Sequence, residues 1–249
     1  MTTACQACPL RKKPLFQQMS DDELVFMQKF KKGELSVQAG IPAGVVNVVL
    51  GDGPITGNAL TGHPGIGKIS FTGSTAAGAA IMENIARSGI KPMTLELGGK
   101  SPQLVFADAD LTLAADCIAR NILFNAGQAC VAGSRVLVDA RVAEAFTAAL
   151  ADRLKPGRIG PTWDAATEYS PVISARQIAR IDSLVNAAIS EGAKVVTGAT
   201  RLDHPGYFYA PTLLTGVSQT NTAVTEEIFG PVLTLQTFTT EEEALTLAD

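Results

Sequence analysis

Long apolar runs are absent from this chain of 249 residues: none reaches the roughly 18–20 residues that cross a bilayer, and the amino terminus has no hydrophobic signal core. Membrane-spanning and exported classes are therefore not expected, and a soluble, cytoplasmic protein is the expectation. Cysteine is scarce. Four residues, at positions 5, 8, 117 and 130, are too few and too unevenly placed for a disulfide framework, so they read as thiols. The two histidines, His63 and His204, sit beside prolines far apart in the chain, with no ligand spacing between them, and no metal is expected. An excess of basic charge is missing as well. With 20 Lys+Arg against 24 Asp+Glu the net charge is −4, and no basic stripe follows a phosphate backbone, which excludes nucleic acid as a partner of the main body.

What is present is enough apolar material, 46% of residues, to fill a real core. The texture divides at about Ala39. Before it lie Arg11, Lys12, Lys13, Lys29, Lys31, Lys32 and the Cys5-x-x-Cys8 pair; after it, short β-branched runs alternate with longer amphipathic stretches. That alternation is the pattern of a parallel α/β sheet. Strands are expected at 45–50, 68–72, 93–97, 134–138 and 194–197. Helices are expected from the Gly51–Pro54 break to about Leu60, then up to Ser88, and over 111–125, 142–154 and 175–191. Gly98-Gly99, where a strand gives way to paired glycines, marks the candidate boundary between a first domain at 39–97 and a second at 98–249.

Three features carry chemistry. Cys130 ends the run Asn125-Ala126-Gly127-Gln128-Ala129-Cys130, a small-residue loop that lets a substrate approach. A thiolate there can attack an aldehyde carbon, with backbone N–H groups of the loop receiving the oxyanion. Glu96, in Leu95-Glu96-Leu97-Gly98-Gly99, is a lone carboxylate in an apolar strand. A carboxylate shielded from water holds its proton more tightly and suits a general base near neutral pH. Phe71-Thr72-Gly73-Ser74-Thr75 leads a strand into a helix, and such a junction offers N–H groups and a positive dipole end to a pyrophosphate. Each has an ordinary alternative: a small buried thiol, a strand-end glutamate facing water, and a hydroxyl cap. The glycines of Gly51-Asp52-Gly53-Pro54-Ile55-Thr56-Gly57 do not form the dinucleotide fingerprint, because three residues rather than two separate the second from the third.

Taken in order, these segments resemble the aldehyde dehydrogenase superfamily. Phe71-Thr72-Gly73-Ser74, Glu96-Leu97-Gly98-Gly99-Lys100, Gly127-Gln128-Ala129-Cys130 and Glu227-Ile228-Phe229-Gly230-Pro231 follow that family's sequence of signatures, with 34 positions from Glu96 to Cys130. Connecting stretches such as Ile41–Asn47, His63-Pro64 and Ala210-Pro211-Thr212 are similar too. The resemblance implies an α/β fold in which part of a Rossmann-like cofactor domain precedes a catalytic domain. It implies Cys130 as nucleophile and Glu96 as the base for the deacylating water. It places Gly73, Ser74 and Leu97 at the cofactor, with Ser74 on the pyrophosphate, Glu227 on the ribose beside the nicotinamide and Phe229 beside that ring. The implied reaction oxidises a small-molecule aldehyde to an acid with NAD or NADP through a cysteine thioester.

That resemblance covers about residues 39–249, the middle of a family member. The family's ribose-binding lysine, its oxyanion asparagine and its oligomerisation strand have no counterpart here, although family members are usually homo-oligomers; activity of this chain is expected to be severely reduced. Ser170 stands before Pro171 where the family has glycine. Residues 1–38 resemble instead the amino-terminal segment of Crp/Fnr-type regulators, through Cys5–Arg11, Pro14-Leu15-Phe16 and Met19–Leu24, as in a fusion of two fragments. The competing reading is a non-catalytic regulatory or interaction module with a redox-sensor-like start. Cys117, on a helix among Ala and Ile, is expected in the core, and Trp163 is expected to pack in its loop.

Overall fold

The computed structural model describes residues 47–249. The expectations for Cys5, Cys8 and the regulator-like segment fall outside those residues. The described chain forms two compact units that divide between Leu97 and Gly98.

In the first unit a tight helical turn at Gly53–Gly57, begun by Pro54, runs into α1 (Asn58–Gly62). Then come β1 (Ile69–Thr72), α2 (Thr75–Ser88) and β2 (Met93–Glu96), with β1 and β2 paired in parallel, Thr72 opposite Glu96. A parallel pair needs a crossover, and α2 supplies it. Gly78 lets α2 lie close on the sheet, since a Cβ there would press on the Leu97 side chain. Lys91 donates to the Thr61 and His63 carbonyls, tying α1 to the start of β2. The strand expected at 45–50 is not seen in its described part: residues 47–50 have no regular structure, and Val48 and Leu50 are exposed.

The second unit is a five-stranded sheet between helices. Its elements are β3 (Pro102–Val105), α3 (Leu111–Leu123), β4 (Arg135–Asp139), α4 (Ala143–Arg153), α5 (Ala175–Ser190), β5 (Lys194–Thr197), β6 (Thr212–Thr215), α6 (Thr222–Thr225), β7 (Val232–Phe238) and α7 (Glu241–Ala248). Strand order is β3-β4-β7-β6-β5, parallel throughout except that β5 runs antiparallel at the edge. Neighbouring side chains point to opposite faces, so Leu213 and Leu233 join a core with α3 and α4 while Leu214 and Val232 join one with α5. Helix periodicity matches: Ala115, Ile118, Ala119 and Ile122 line the inner stripe of α3, and Ile178, Ile181, Val185 and Ala188 that of α5. Caps start both helices, Asp110 accepting from the Leu113 N–H and Ser174 from the Gln177 N–H.

Two expectations are corrected. Cys117 is exposed, because the buried stripe of α3 runs through Ile118 and Ile122 and turns position 117 outward. Trp163 is 87% exposed on its loop and packs little.

At the turn after β4, buried Asp139 receives three hydrogen bonds from Arg141: backbone N–H at 2.9 Å, Nε at 2.9 Å and Nη2 at 2.6 Å. These bonds lower the Asp139 pKa from 3.8 to about 2. A carboxylate held below its unfolded value contributes stability that is complete above the unfolded pKa and fades as pH falls through the folded one. Asp139→Asn is therefore expected to flatten the fall in stability between pH 3.8 and about 2 in acid titrations followed by circular dichroism. An unchanged acid slope would refute that role.

Candidate active site

Within the first unit, the carboxyl ends of β1 and β2 lie side by side, and the Gly73 N–H donates to the Glu96 carbonyl at 3.0 Å. This brings Gly73, Ser74 and Glu96 to one edge, the end of a parallel sheet where α/β proteins place ligands. Ser74 caps α2, its Oγ accepting from Ala77 at 3.2 Å, and residues 73–76 are exposed. The first-turn N–H groups of such a helix have no partners within the helix and face solvent or an anion. Glu96 is itself exposed at the strand end, so the shielding expected from its apolar strand is not provided within the described residues. Leu97 turns its side chain toward Gly78 of α2.

In the second unit, Cys130 is exposed on a turn closed by the Ala132 N–H to the Ala129 carbonyl at 3.0 Å. The chain reaches that turn through an unusual stretch: Asn125 (φ 51°), Ala126 (φ 51°) and Gly127 (φ 70°) are all left-handed. Non-glycine residues in this region each cost of order 1–3 kcal/mol and persist only where surroundings fix them. Here three contacts do so. The Asn125 amide donates to the Gln128 carbonyl and the Gln128 amide to the Asn125 carbonyl, both at 2.9 Å, and the buried Gln128 Oε1 accepts from the Ile173 N–H at 2.9 Å. Gly127 lies against the Gly230 backbone with no room for a side chain. The N–H groups of Gln128 and Ala132 are spent on carbonyls, whereas those of Cys130 and Val131 donate to nothing among the described residues.

Glu227 and Phe229 belong to the same unit as Cys130. The Glu227 carboxylate lies over Gly98, where a Cβ would overlap it, and its Oε1 accepts from the Gly99 N–H at 3.3 Å. A Cβ on Gly99 would in turn come within 3.3 Å of the Cys130 carbonyl, so the paired glycines let the Glu227 carboxylate and the cysteine turn both approach one backbone segment. Beside them, burial and then the Arg135 charge lower the Lys100 pKa to about 8, while Glu227 and Glu226 pull it back up. Phe229 is left-handed at φ 55°.

Gln128, Lys100, Gln177 and Arg180 enter the site only with the fold. Gln128 carried a signal, as the one long polar side chain in a loop of small residues. Gln177 and Arg180 are spaced three apart on α5, beside the Ile178–Ile181 stripe, but a helix-face polar residue has no sequence mark that tells solvent from a loop.

The model of the aldehyde dehydrogenase family matches residues 22–249, beginning ahead of the Ala39 boundary. The chain is 43% identical over 217 residues to retinal dehydrogenase 2 of Gallus gallus, covering 87% of this chain and 42% of that one. It is 41% identical over 235 residues to betaine aldehyde dehydrogenase of Bacillus subtilis, covering 93% and 48%. Among solved structures, betaine aldehyde dehydrogenase of Staphylococcus aureus in complex with NAD+ superposes with a TM-score of 0.80 at 41% identity, over 84% of this chain and 42% of that one. The chain thus spans less than half the length of the curated relatives it matches.

Proposed function

The chain belongs to the aldehyde dehydrogenase family, and we propose that its residues carry out that family's chemistry: oxidation of an aldehyde to a carboxylic acid with NAD(P)+. The observation that carries the reading is Cys130, exposed on a turn whose left-handed approach is fixed from three sides and whose own N–H is uncommitted. In this reading the Cys130 thiolate attacks the aldehyde carbon, and the Cys130 N–H donates to the oxygen as it becomes an oxyanion. Hydride acceptance from this carbon is the chemistry that a bound NAD(P)+ would supply, and it would leave the carbon on Cys130 as a thioester. Glu96 takes a proton from the water that hydrolyses the thioester, returning the thiol and releasing the acid. Gly73 and Ser74 receive the pyrophosphate at the exposed start of α2, Leu97 borders the cofactor, and Glu227 and Phe229 hold the ribose and ring at the nicotinamide end. The residues present fit that group: a helix N-terminus open to an anion, and a half-buried carboxylate that can accept ribose hydroxyls.

The test is thiol labelling with an aldehyde-mimicking electrophile, with and without NAD+, followed by mapping of the modified peptides. Cys117 and Cys130 are both exposed, so access alone gives them similar rates. The expected outcome is modification at Cys130 at least ~10-fold faster than at Cys117, a rate at Cys130 that changes with NAD+, and loss of that signal in Cys130→Ala. Equal labelling of all four cysteines would overturn the reading.

A further inference from the structure

We propose that Gln177 is a positioning residue for the nicotinamide end of the cofactor, acting through Phe229; the inference rests on the function proposed above. Gln177 stands half-buried in the first turn of α5, its backbone N–H fixed by Ser174 Oγ at 3.2 Å. Its side-chain Nε2 donates to two successive carbonyls, Ile228 at 3.1 Å and Phe229 at 2.8 Å. One turn on, Arg180 Nη2 donates to the Glu227 carbonyl at 3.0 Å. Two side chains three residues apart on one helix thus hold three consecutive carbonyls. The segment they hold cannot join a regular ladder, because Phe229 is left-handed at φ 55°, and a phenylalanine stays in that conformation only where neighbours dictate it. Gly230 follows, pressed against Ile181 of the same helix.

The entry to α5 also serves the cysteine turn. Ile173, four residues before Gln177, donates its N–H to Gln128 Oε1. The start of α5 therefore holds the Glu227–Phe229 backbone through Gln177 and Arg180, while the segment leading into it holds the Cys130 turn through the Ile173 N–H. Without the Gln177 amide, two carbonyls lose their donor and Phe229 loses the contact that opposes its return to a right-handed conformation. The aromatic ring then leaves its place, and the Glu227 carboxylate two residues earlier loses its alignment over Gly98 and with the Gly99 N–H. The cysteine turn keeps its own bond from Ile173, which is a backbone donor and survives the substitution.

The experiment compares the full chain with Gln177→Ala and with Gln177→Glu, which keeps the shape and removes the donor. Amide hydrogen exchange without cofactor is expected to quicken about tenfold at 228–231, and the NAD+ dissociation constant measured by titration calorimetry to rise about tenfold, about 1.4 kcal/mol. Alkylation of Cys130 without cofactor should stay within about twofold of wild type, a separation that general destabilisation of the unit does not give. Unchanged exchange at 228–231 overturns the inference. So does a wild-type chain that binds NAD+ while both variants bind it equally well. A wild-type chain with no saturable NAD+ binding overturns the dehydrogenase reading itself, and this inference with it.

Discussion

Gly127→Ala is expected to destabilise the second unit by about 2–5 kcal/mol and to abolish the selective reactivity of Cys130. Two effects add. At φ 70° an alanine accepts left-handed backbone, at about 1–2 kcal/mol. Its Cβ would also overlap the Gly230 carbonyl, and because both partners are backbone, neither can turn aside as a flexible side chain does. The loop and the Glu227–Pro231 segment must separate, which adds about 1–3 kcal/mol of strain. Gly216→Ala isolates the first effect: its φ of 67° is nearly the same, but a Cβ there meets only ordinary contacts, at 3.6 Å or more. Urea denaturation of the two variants should therefore rank Gly127→Ala well below Gly216→Ala, with Cys130 labelling preserved only in the latter. Equal midpoints would show that the contact with Gly230 does not hold the turn.

The parts of this molecule legible in its sequence were those with a period or a punctuating residue. α3 and α5 carry apolar residues at helical spacing behind Asp110 and Ser174 caps, and their observed starts at Leu111 and Ala175 match the expectation. β1, β2, β4 and β5 lie within a residue or so of the runs assigned to them. β7 was missed although Val232–Phe238 is the longest strand among the described residues, because it follows a signature loop and begins with a proline boundary rather than a glycine-aspartate cluster. α7 was missed for a different reason: its first turn, Glu241–Glu243, is wholly acidic, which suits the dipole but reads as a solvated run. The strand expected over 45–50 is not formed in its described part: Val48 and Leu50 have the composition of a buried strand, but among the described residues nothing covers them and both are exposed.

For the candidate site, the sequence marks out the side chains proposed to carry chemistry and leaves unread the ones that hold them. Cys130, Glu96, Ser74 and Glu227 stand in recognisable segments, while the buried amide of Gln128 and the paired bonds of Gln177 depend on a left-handed backbone that only the fold supplies. The Cys117 expectation went wrong on the same ground: a thiol among Ala and Ile is apolar company in sequence, but a rotation of one residue on α3 decides which side of the helix it occupies.

The second large effect is expected at Arg135, where substitution by alanine should cost about 3–5 kcal/mol. The side chain is 8% exposed at the start of β4, and its pKa is lowered by burial. No carboxylate pairs with it among the described residues; its donors go instead to three carbonyls, Lys100 at 2.6 Å from Nε, Leu247 at 3.0 Å from Nη1 and Ala248 at 2.6 Å from Nη2. The last two end α7, where a cation meets the negative end of the helix dipole. Alanine would leave those carbonyls without donors and open a void between β4 and α7. Arg135→Met fills the void and removes the buried charge, so it should recover part of the loss, as apolar replacements of buried ions often do. A second readout follows from Lys100. The Arg135 charge is one of the two influences that lower Lys100 to about 8, so both variants should raise its titration toward 10.5. Because a lysine depressed when folded binds protons more tightly when unfolded, stability of the wild type should rise between about 8 and 10.5, and this rise should shrink in both variants. Stability profiles at alkaline pH that coincide for wild type and Arg135→Met would show that the two cations do not sense one another.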